Sequence, residues 1–344
     1  MEKKKNDFIA QGSILAVASI LVRVMGMIYR IPMTAIIGDK GNGFYSYAYS
    51  VYTILLLLSS YSLPLAVSKM VSAKAQLGQW RNVKRVFICA IAFAIGIGTT
   101  FGLIVLIGAQ FFTRVFFHSE LAAIALRFMA PTILIMALLG VFRGFFQGLQ
   151  NTLPTAVSQI VEGLINAIMS VVFAYFLFDF GHGMDAASGT TDLGYAWGAA
   201  GGAIGTGAGA LAGLIFCFIL FVAYRKILAV NISRDKTGTQ QEYGDIFRLM
   251  LSIALPVILS TALYNLIELV DGSLFNNIMA SKGMEDVKDS MWGAYNAKAL
   301  LLVHIPVSIS SAMAVSLVPT LTAAYALGDE QTAKSKVHAI LRFI

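Results

Sequence analysis

Six ionisable side chains lie inside long apolar runs of this sequence: Arg23, Arg30, Glu162, Glu268, Asp271 and Lys298. A charge at the centre of a bilayer costs about 2.5–3.5 kcal/mol on insertion scales, so a set of them calls for compensation. Counted from Phe8, Arg23 lies about 22 Å along a helix, deep in the core of a membrane. Arg30 follows at i+7 on nearly the same face, with Gly26 between them. Two guanidiniums flanking a small residue suit an anionic group, phosphate above all, because arginine presents paired N–H donors. Arg30 sits nearer the outer surface, where snorkelling would also satisfy it.

The run that follows Pro154 carries Thr155, Gln159, Glu162, Asn166 and Ser170 at three- and four-residue steps, which form one polar helix face. Such a face is expected to line water or a polar solute; hydrogen bonding between helices is the alternative for Thr155 and Ser170. Further on, Asn265, Glu268 and Asp271 share a face, and paired carboxylates in a span suit a proton or sodium site. Lys298 has two partners open to it, a ligand's negative charge or Asp271. No nucleophile stands beside a base. His118, His182, His304 and His338 are scattered without metal spacing, and Cys89 and Cys217 lie in apolar runs as packing residues. The expectation is a protein that is not an enzyme and has no cofactor, with Na+ or H+ as the candidate coupling ion.

These residues need apolar helices to position them. The chain has 344 residues, 58% hydrophobic and only 12% charged, with a mean hydropathy of +0.76. The pattern predicts an all-α polytopic membrane protein with about eight spans, at 8–37, 44–72, 85–112, 120–143, 152–180, 196–225, 246–280 and 293–327. The first run is too long for a signal peptide and carries two arginines. Of the 25 Lys and Arg, most fall at one set of span ends, among them Lys69, Lys74, Arg81, Lys84, Arg85, Arg143, Arg225 and Lys226. Only Lys40, Arg114, Arg127, Lys282 and Lys288 fall at the other. The bias places the N-terminus in the cytoplasm and the chain in the cytoplasmic membrane. The net charge of +7 belongs to these loops and signals no nucleic acid.

All seven prolines lie in or at the ends of spans, and several bent helices suit a transporter. Gly201, Gly205, Gly209 and Gly213 make a smooth stripe for close helix contact. A weak internal echo pairs Gly43 and Tyr45 with Gly293 and Tyr295, and Ala66-Val67-Ser68 with Ala314-Val315-Ser316. It implies parallel repeats, the second starting near Asp245. Val337 to Ile344 reads as the start of a ninth span, so the chain looks truncated at its C-terminus. The division expected is a six-helix N-terminal lobe over 1–230 and the first helices of a second lobe over 231–344.

The stretches Arg23-Val-Met-Gly26 with Arg30, Gly43-Phe-Tyr45, Leu63-Pro64-Leu-Ala-Val-Ser68-Lys69 and Arg143-Gly144-Phe-Phe-Gln147-Gly148-Leu-Gln150-Asn151, running on to Glu162, resemble the lipid-linked oligosaccharide and lipid II flippases of the mouse-virulence-factor group. The likeness covers essentially the whole chain. It is closest to the stage V sporulation protein B and polysaccharide biosynthesis branch, within the superfamily that includes multidrug and toxin exporters. The resemblance implies two six-helix lobes around a central cavity, plus two further helices. It implies that Arg23, Arg30 and Lys298 contact a substrate diphosphate and that Asp271 joins a sodium site. The sequence departs from the family pattern at Gly163 and Asn166, where related proteins carry Gln and Arg, and in the spacing of Arg30 from Arg23.

The leading expectation is therefore a flippase that moves an undecaprenyl-diphosphate-linked saccharide across the membrane by alternating access. Its site residues would be Arg23, Arg30, Lys298, Gln159 and Glu162 for substrate, and Asp271 and Glu268 for ion coupling. Its partners would be the polyprenyl-diphosphate-linked saccharide and membrane lipids. A multidrug or cation antiporter of the same architecture is the alternative, and a non-transporting membrane scaffold is the third reading.

Overall fold

The computed structural model describes residues 2–303 except 61, 190 and 301, and beyond them 331, 334, 335 and 338; side chains are described from residue 14, apart from 16, 188, 262 and 264. Most of the predicted eighth span, the start of a ninth, Ala314-Val315-Ser316, Pro306, Pro319 and His304 lie outside these residues. Every element described is helical: α1 Glu2–Ser60, α2 Leu63–Gln76, α3 Trp80–Phe117, α4 Ala122–Gly148, α5 Leu153–Ser188, α6 Leu193–Ser233, α7 Tyr243–Ser281 and α8 Glu285–Ala294, which runs into a π-helical turn, Tyr295–Ala299. Among the described residues six stretches are long and apolar enough to cross a membrane.

The first of these stretches, Val17–Gln76, holds two of the predicted spans. No loop separates them. Helical geometry breaks at Gly38 alone, with φ 61° and ψ −176°, a conformation that a side chain would oppose. The two limbs of α1 fold back on each other there. Met33 from the first limb and Tyr45 from the second both reach Gly202, and Asn42 donates to Thr34 Oγ1 at 3.1 Å and to the Gly38 carbonyl at 2.8 Å. The next helix, α2, starts with Pro64 in its first turn, where a missing N–H costs nothing.

The most extensive packing is α5 on α6. The four glycines of α6 set its register. Gly201 faces the backbone of Phe173 and Ala174, Gly205 faces Ser170, Gly209 faces Asn166 and the Glu162 carbonyl, and Gly213 faces Ser158 and Glu162. A methyl group on any of the first three would strike α5. Part of the polar face of α5, at Glu162, Asn166 and Ser170, thus packs on the glycine stripe of α6. Ser170 is fully buried and donates to Asn166 Oδ1 at 2.8 Å, with the Gly202 carbonyl 3.3 Å away; Thr155 is buried and accepts from Gln147 Nε2 at 3.3 Å. Hydrogen bonding between helices, the alternative for Ser170 and Thr155, is what these two show: Ser170 bonds in the groove that glycine leaves between α5 and α6, and Thr155 bonds Gln147 of α4.

The helix ends sort into a basic end, with the α2–α3, α4–α5 and α6–α7 connections, and a Gly38 end, with Gly38 itself and the α3–α4, α5–α6 and α7–α8 connections. At the basic end the α6–α7 connection is tied to α3. Asp235 accepts from the Arg81 backbone N–H at 2.9 Å, the Asn82 amide bonds both Thr239 and Gln241, and Arg85 donates to the Gln241 carbonyl at 2.6 Å and stacks over Tyr243. At the Gly38 end α8 lies against α1 through the sequence echo itself. Gly43 sits on the Asp289 backbone, and Gly293 sits on the Asp39 backbone and the Gly43 amide. Asp39 and Asp289, Gly43 and Gly293, Tyr45 and Tyr295 are separated by the same interval in the chain, so the contact is reciprocal.

Candidate functional site

A cavity of about 840 Å³ opens between α1 on one side and α7 with α8 on the other. The first limb of α1 contributes Tyr29, Arg30 and Met33. The second limb contributes Asn42, Tyr45, Ser46 and Tyr49, which fall at i, i+3, i+4 and i+7 and so share one face. From α7 come Asn265, Glu268, Asp271 and Phe275, and beyond it Trp292, Tyr295 and Asn296. The backbone reversal at Gly38 is what brings Arg30 and Tyr45 to the same hollow.

Three of the predicted site residues meet in this cavity: Arg30, Glu268 and Asp271. Among the described residues Arg30 makes no ion pair, and it shares the cavity wall with two carboxylates, Glu268 and Asp271. Glu268 Oε1 has a single long contact from Ser50 Oγ, at 3.4 Å. Tyr45 and Tyr49 stack with centroids 5.8 Å apart, and the Tyr45 hydroxyl lies 3.3 Å from Thr206 Oγ1. The walls therefore offer one guanidinium, two carboxylates, three amides and several phenols in mixed polar and aromatic surroundings. This composition offers hydrogen-bonding groups and aromatic faces to a polar ligand, with one positive charge set against two carboxylates.

The other predicted residues lie elsewhere. Arg23 is exposed and outside the cavity walls, two turns towards the basic end from Arg30. A methyl on Gly26 would meet nothing within 4 Å, so the side of α1 between the arginines is open, while Val22 and Met25 on another side pack against Gly163 of α5. Lys298 is not a cavity wall. It stands on the π-helical turn and donates to Asp39 Oδ2 at 2.7 Å, so its partner is Asp39 and not Asp271. Glu162 accepts from Arg143 at 2.7 Å, and Arg143 also donates to Ser158 Oγ at 2.8 Å. Gln159, on the same face, has a buried Oε1 without a partner.

Sequence reasoning placed Arg143 among the basic residues at a span end. It lies near the end of α4, yet its side chain is only 11% exposed and turns inward to α5. Asp39 was also passed over as a partner for Lys298. The interval that relates it to Asp289 was the available signal. The aromatic wall was missed as well; the Asn42, Tyr45, Ser46, Tyr49 spacing could have revealed it.

The sequence profile of the polysaccharide biosynthesis protein family matches residues 8–324. Lipid II flippase MurJ of Bacillus subtilis is 25% identical over 343 residues, covering 96% of this chain and 60% of that protein. Stage V sporulation protein B of the same organism is 25% identical over 323 residues, covering 92% of this chain and 58% of that protein. The chain thus spans about 60% of the length of these curated relatives. Among solved structures, an inward-facing multidrug resistance transporter of the MATE family aligns with a TM-score of 0.65 at 15% identity, over 95% of this chain and 70% of that one. A transporter of the MOP superfamily from Pyrococcus furiosus aligns with a TM-score of 0.60 at 15% identity, over 98% of this chain and 69% of that one. These likenesses establish the fold as that of the superfamily.

Proposed function

The chain belongs to the polysaccharide biosynthesis protein family, and from that premise we propose that it translocates a polyprenyl-diphosphate-linked saccharide across the cytoplasmic membrane by alternating access. The observation that carries this reading is the unpaired Arg30 guanidinium in a cavity walled by tyrosines and amides. Arginine grips a diphosphate through paired donors. Tyrosine faces and asparagine amides suit sugar hydroxyls and ring C–H groups. The names of the two curated relatives point to the same substrate class.

In this reading the basic end faces the cytoplasm and the N-terminus lies there. The residues of 1–230 and those from 231 onward act as two lobes, with the cavity between them. Arg23 and Arg30 bind the diphosphate in turn, along the open side of α1 at Gly26. The polyprenyl tail stays in lipid. Glu268 and Asp271, facing the same hollow, take the coupling ion, Na+ or H+. Lys298 reaches the substrate only after releasing Asp39, and Glu162 only after Arg143 lets go. Each is a contact of another conformation.

A cation antiporter is the competing reading, and the two carboxylates in the cavity favour it. Proteoliposomes decide between them. Labelled lipid-linked precursor should be flipped, Arg23→Ala and Arg30→Ala should each abolish flipping, and fluorescent lipophilic cations should not be transported. Cation transport that survives loss of both arginines would establish the antiporter. Function unaffected by neutralising all six intramembrane charges would indicate a scaffold.

A further inference from the structure

The reciprocal contact at the Gly38 end is symmetric in backbone but not in charge. Asp39 and Asp289 occupy equivalent positions, each against the other repeat's glycine. Asp39 is paired by Lys298 at 2.7 Å. The position in the first repeat that corresponds to Lys298 is Ala48, or Tyr47 if the extra residue of the π-helical turn is discounted; neither carries a positive charge.

The cations near Asp289 are engaged elsewhere. Lys40 from α1 is held by Asp192 at 2.8 Å, and Lys288, its chain neighbour, donates to the Phe117 and His118 carbonyls at 3.1 and 2.8 Å. Also facing its carboxyl are the Tyr47 hydroxyl from α1 and the acidic Asp192 before α6; Glu285 lies further along α8, near Lys288. Asp289 is buried, and its Oδ1 has no hydrogen-bond partner, as is true of Asp39 Oδ1 and Trp292 Nε1 beside it. Among the described residues Asp289 makes no ion pair; a buried carboxylate so placed is costly, and taking up a proton removes that cost.

We propose that Asp289 is a proton-binding site created when α8 closes on α1, so that closure of the Gly38 end takes up one proton. Burial pushes the Asp289 carboxyl above the usual carboxylate range, and Lys288, Lys40 and a hydrogen bond from the Tyr47 hydroxyl oppose the shift without cancelling it. Opening the Gly43–Gly293 contact would return the carboxyl to water and to its ordinary value, near 3.9. The closed state, with the higher pKa, is favoured as pH falls from above its raised value towards the ordinary one. The site is separate from the carboxylates of the cavity, Glu268 and Asp271. It rests on the alternating-access reading, in which this end faces outward, and makes the outer pH a bias on that cycle.

The test uses spin labels at Ala187→Cys and Lys282→Cys, on the α5 and α7 ends of this face, in protein lacking Cys89 and Cys217 and held in nanodiscs. Between about pH 8 and about pH 4.5 the ratio of short to long distances should rise about tenfold for each pKa unit of the shift. Asp289→Asn should hold the short distance at every pH. Asp289→Glu should keep a pH response, and so controls for folding. Asp39→Asn should lengthen the distance yet leave the response in place. A wild-type distance that ignores pH, or an Asp289→Asn response equal to wild type, overturns the proposal. A distance that follows lipid-linked precursor but not pH overturns the proton link while leaving the flippase reading intact. A pH response that depends on Asp289 upholds the link even where no precursor is flipped.

Discussion

Arg143 on α4 and Glu162 on α5 meet at 2.7 Å, with side chains 11% and 25% exposed, and Ser158 completes the grip on the guanidinium. Removing one member of such a pair strands the other in low dielectric, typically at a cost of about 3–5 kcal/mol, whereas replacing both with apolar groups is often neutral. Arg143→Met should therefore lower the melting temperature in detergent sharply. The double variant Arg143→Met with Glu162→Met should recover most of the loss. Equal losses for the single and double variants would mean that the pair contributes little.

Arg30 is expected to bind through charge-assisted hydrogen bonds, worth about 1.5–3 kcal/mol each. Arg30→Ala should weaken binding of a polyprenyl diphosphate by about 10- to 100-fold, as measured by titration calorimetry. Arg30→Lys should recover part of that, as a point charge without the bidentate fork. Glu268→Gln with Asp271→Asn should leave this affinity nearly unchanged while removing the dependence of transport on Na+ or pH.

The glycines give a graded series. Gly293→Ala would drive a methyl into the Asp39 carbonyl, and Gly43→Ala would meet Asp289 in the same way. Either should part α8 from α1 and cost about 1–3 kcal/mol in stability. Gly26→Ala, with open space around it, should be harmless or slightly stabilising in a helix. Thermal unfolding of the three variants side by side checks the order.

Much of this is legible in the sequence. The span positions follow from composition, because a bilayer leaves only helices or closed barrels as solutions. The glycine stripe of α6 and the polar face of α5 were each visible as a period. That they are complementary was not, since periodicity says which residues share a face but not what covers it. Arg143 was misplaced for a related reason: a long side chain near a helix end can turn either way, and Ser158 and Glu162 decide it. The cavity drew residues from both limbs of α1, which required knowing that one glycine suffices to reverse the chain. For Lys298 the sequence offered a ligand's charge or Asp271, on a helix close in sequence, whereas the partner it has here, Asp39, is across the repeat.

The α6–α7 connection has its own pH signature. Backbone N–H groups of Arg81 and Thr237 and the Thr237 hydroxyl stabilise the Asp235 carboxylate and hold its pKa down to about 2. A depressed folded-state value means the contribution is present above the unfolded pKa near 3.9 and is lost as pH falls through about 2. The protection factors of the Arg81 and Thr237 amides, measured against intrinsic exchange at each pH, should hold at about pH 4 and fall only towards about pH 2. Asp235→Asn should exchange faster throughout.

Where Gly205 meets Ser170 there is no slack: two helices touch backbone to side chain, with hydroxyl and amide groups filling the groove between them. Soft, interleaved leucines could slip past one another by a fraction of a turn; a hydroxyl caged against bare backbone cannot. A push delivered at one mouth of the molecule would therefore travel the length of α5 and α6 as through a single stiff rod, and any rocking of the protein must pivot somewhere other than along that line.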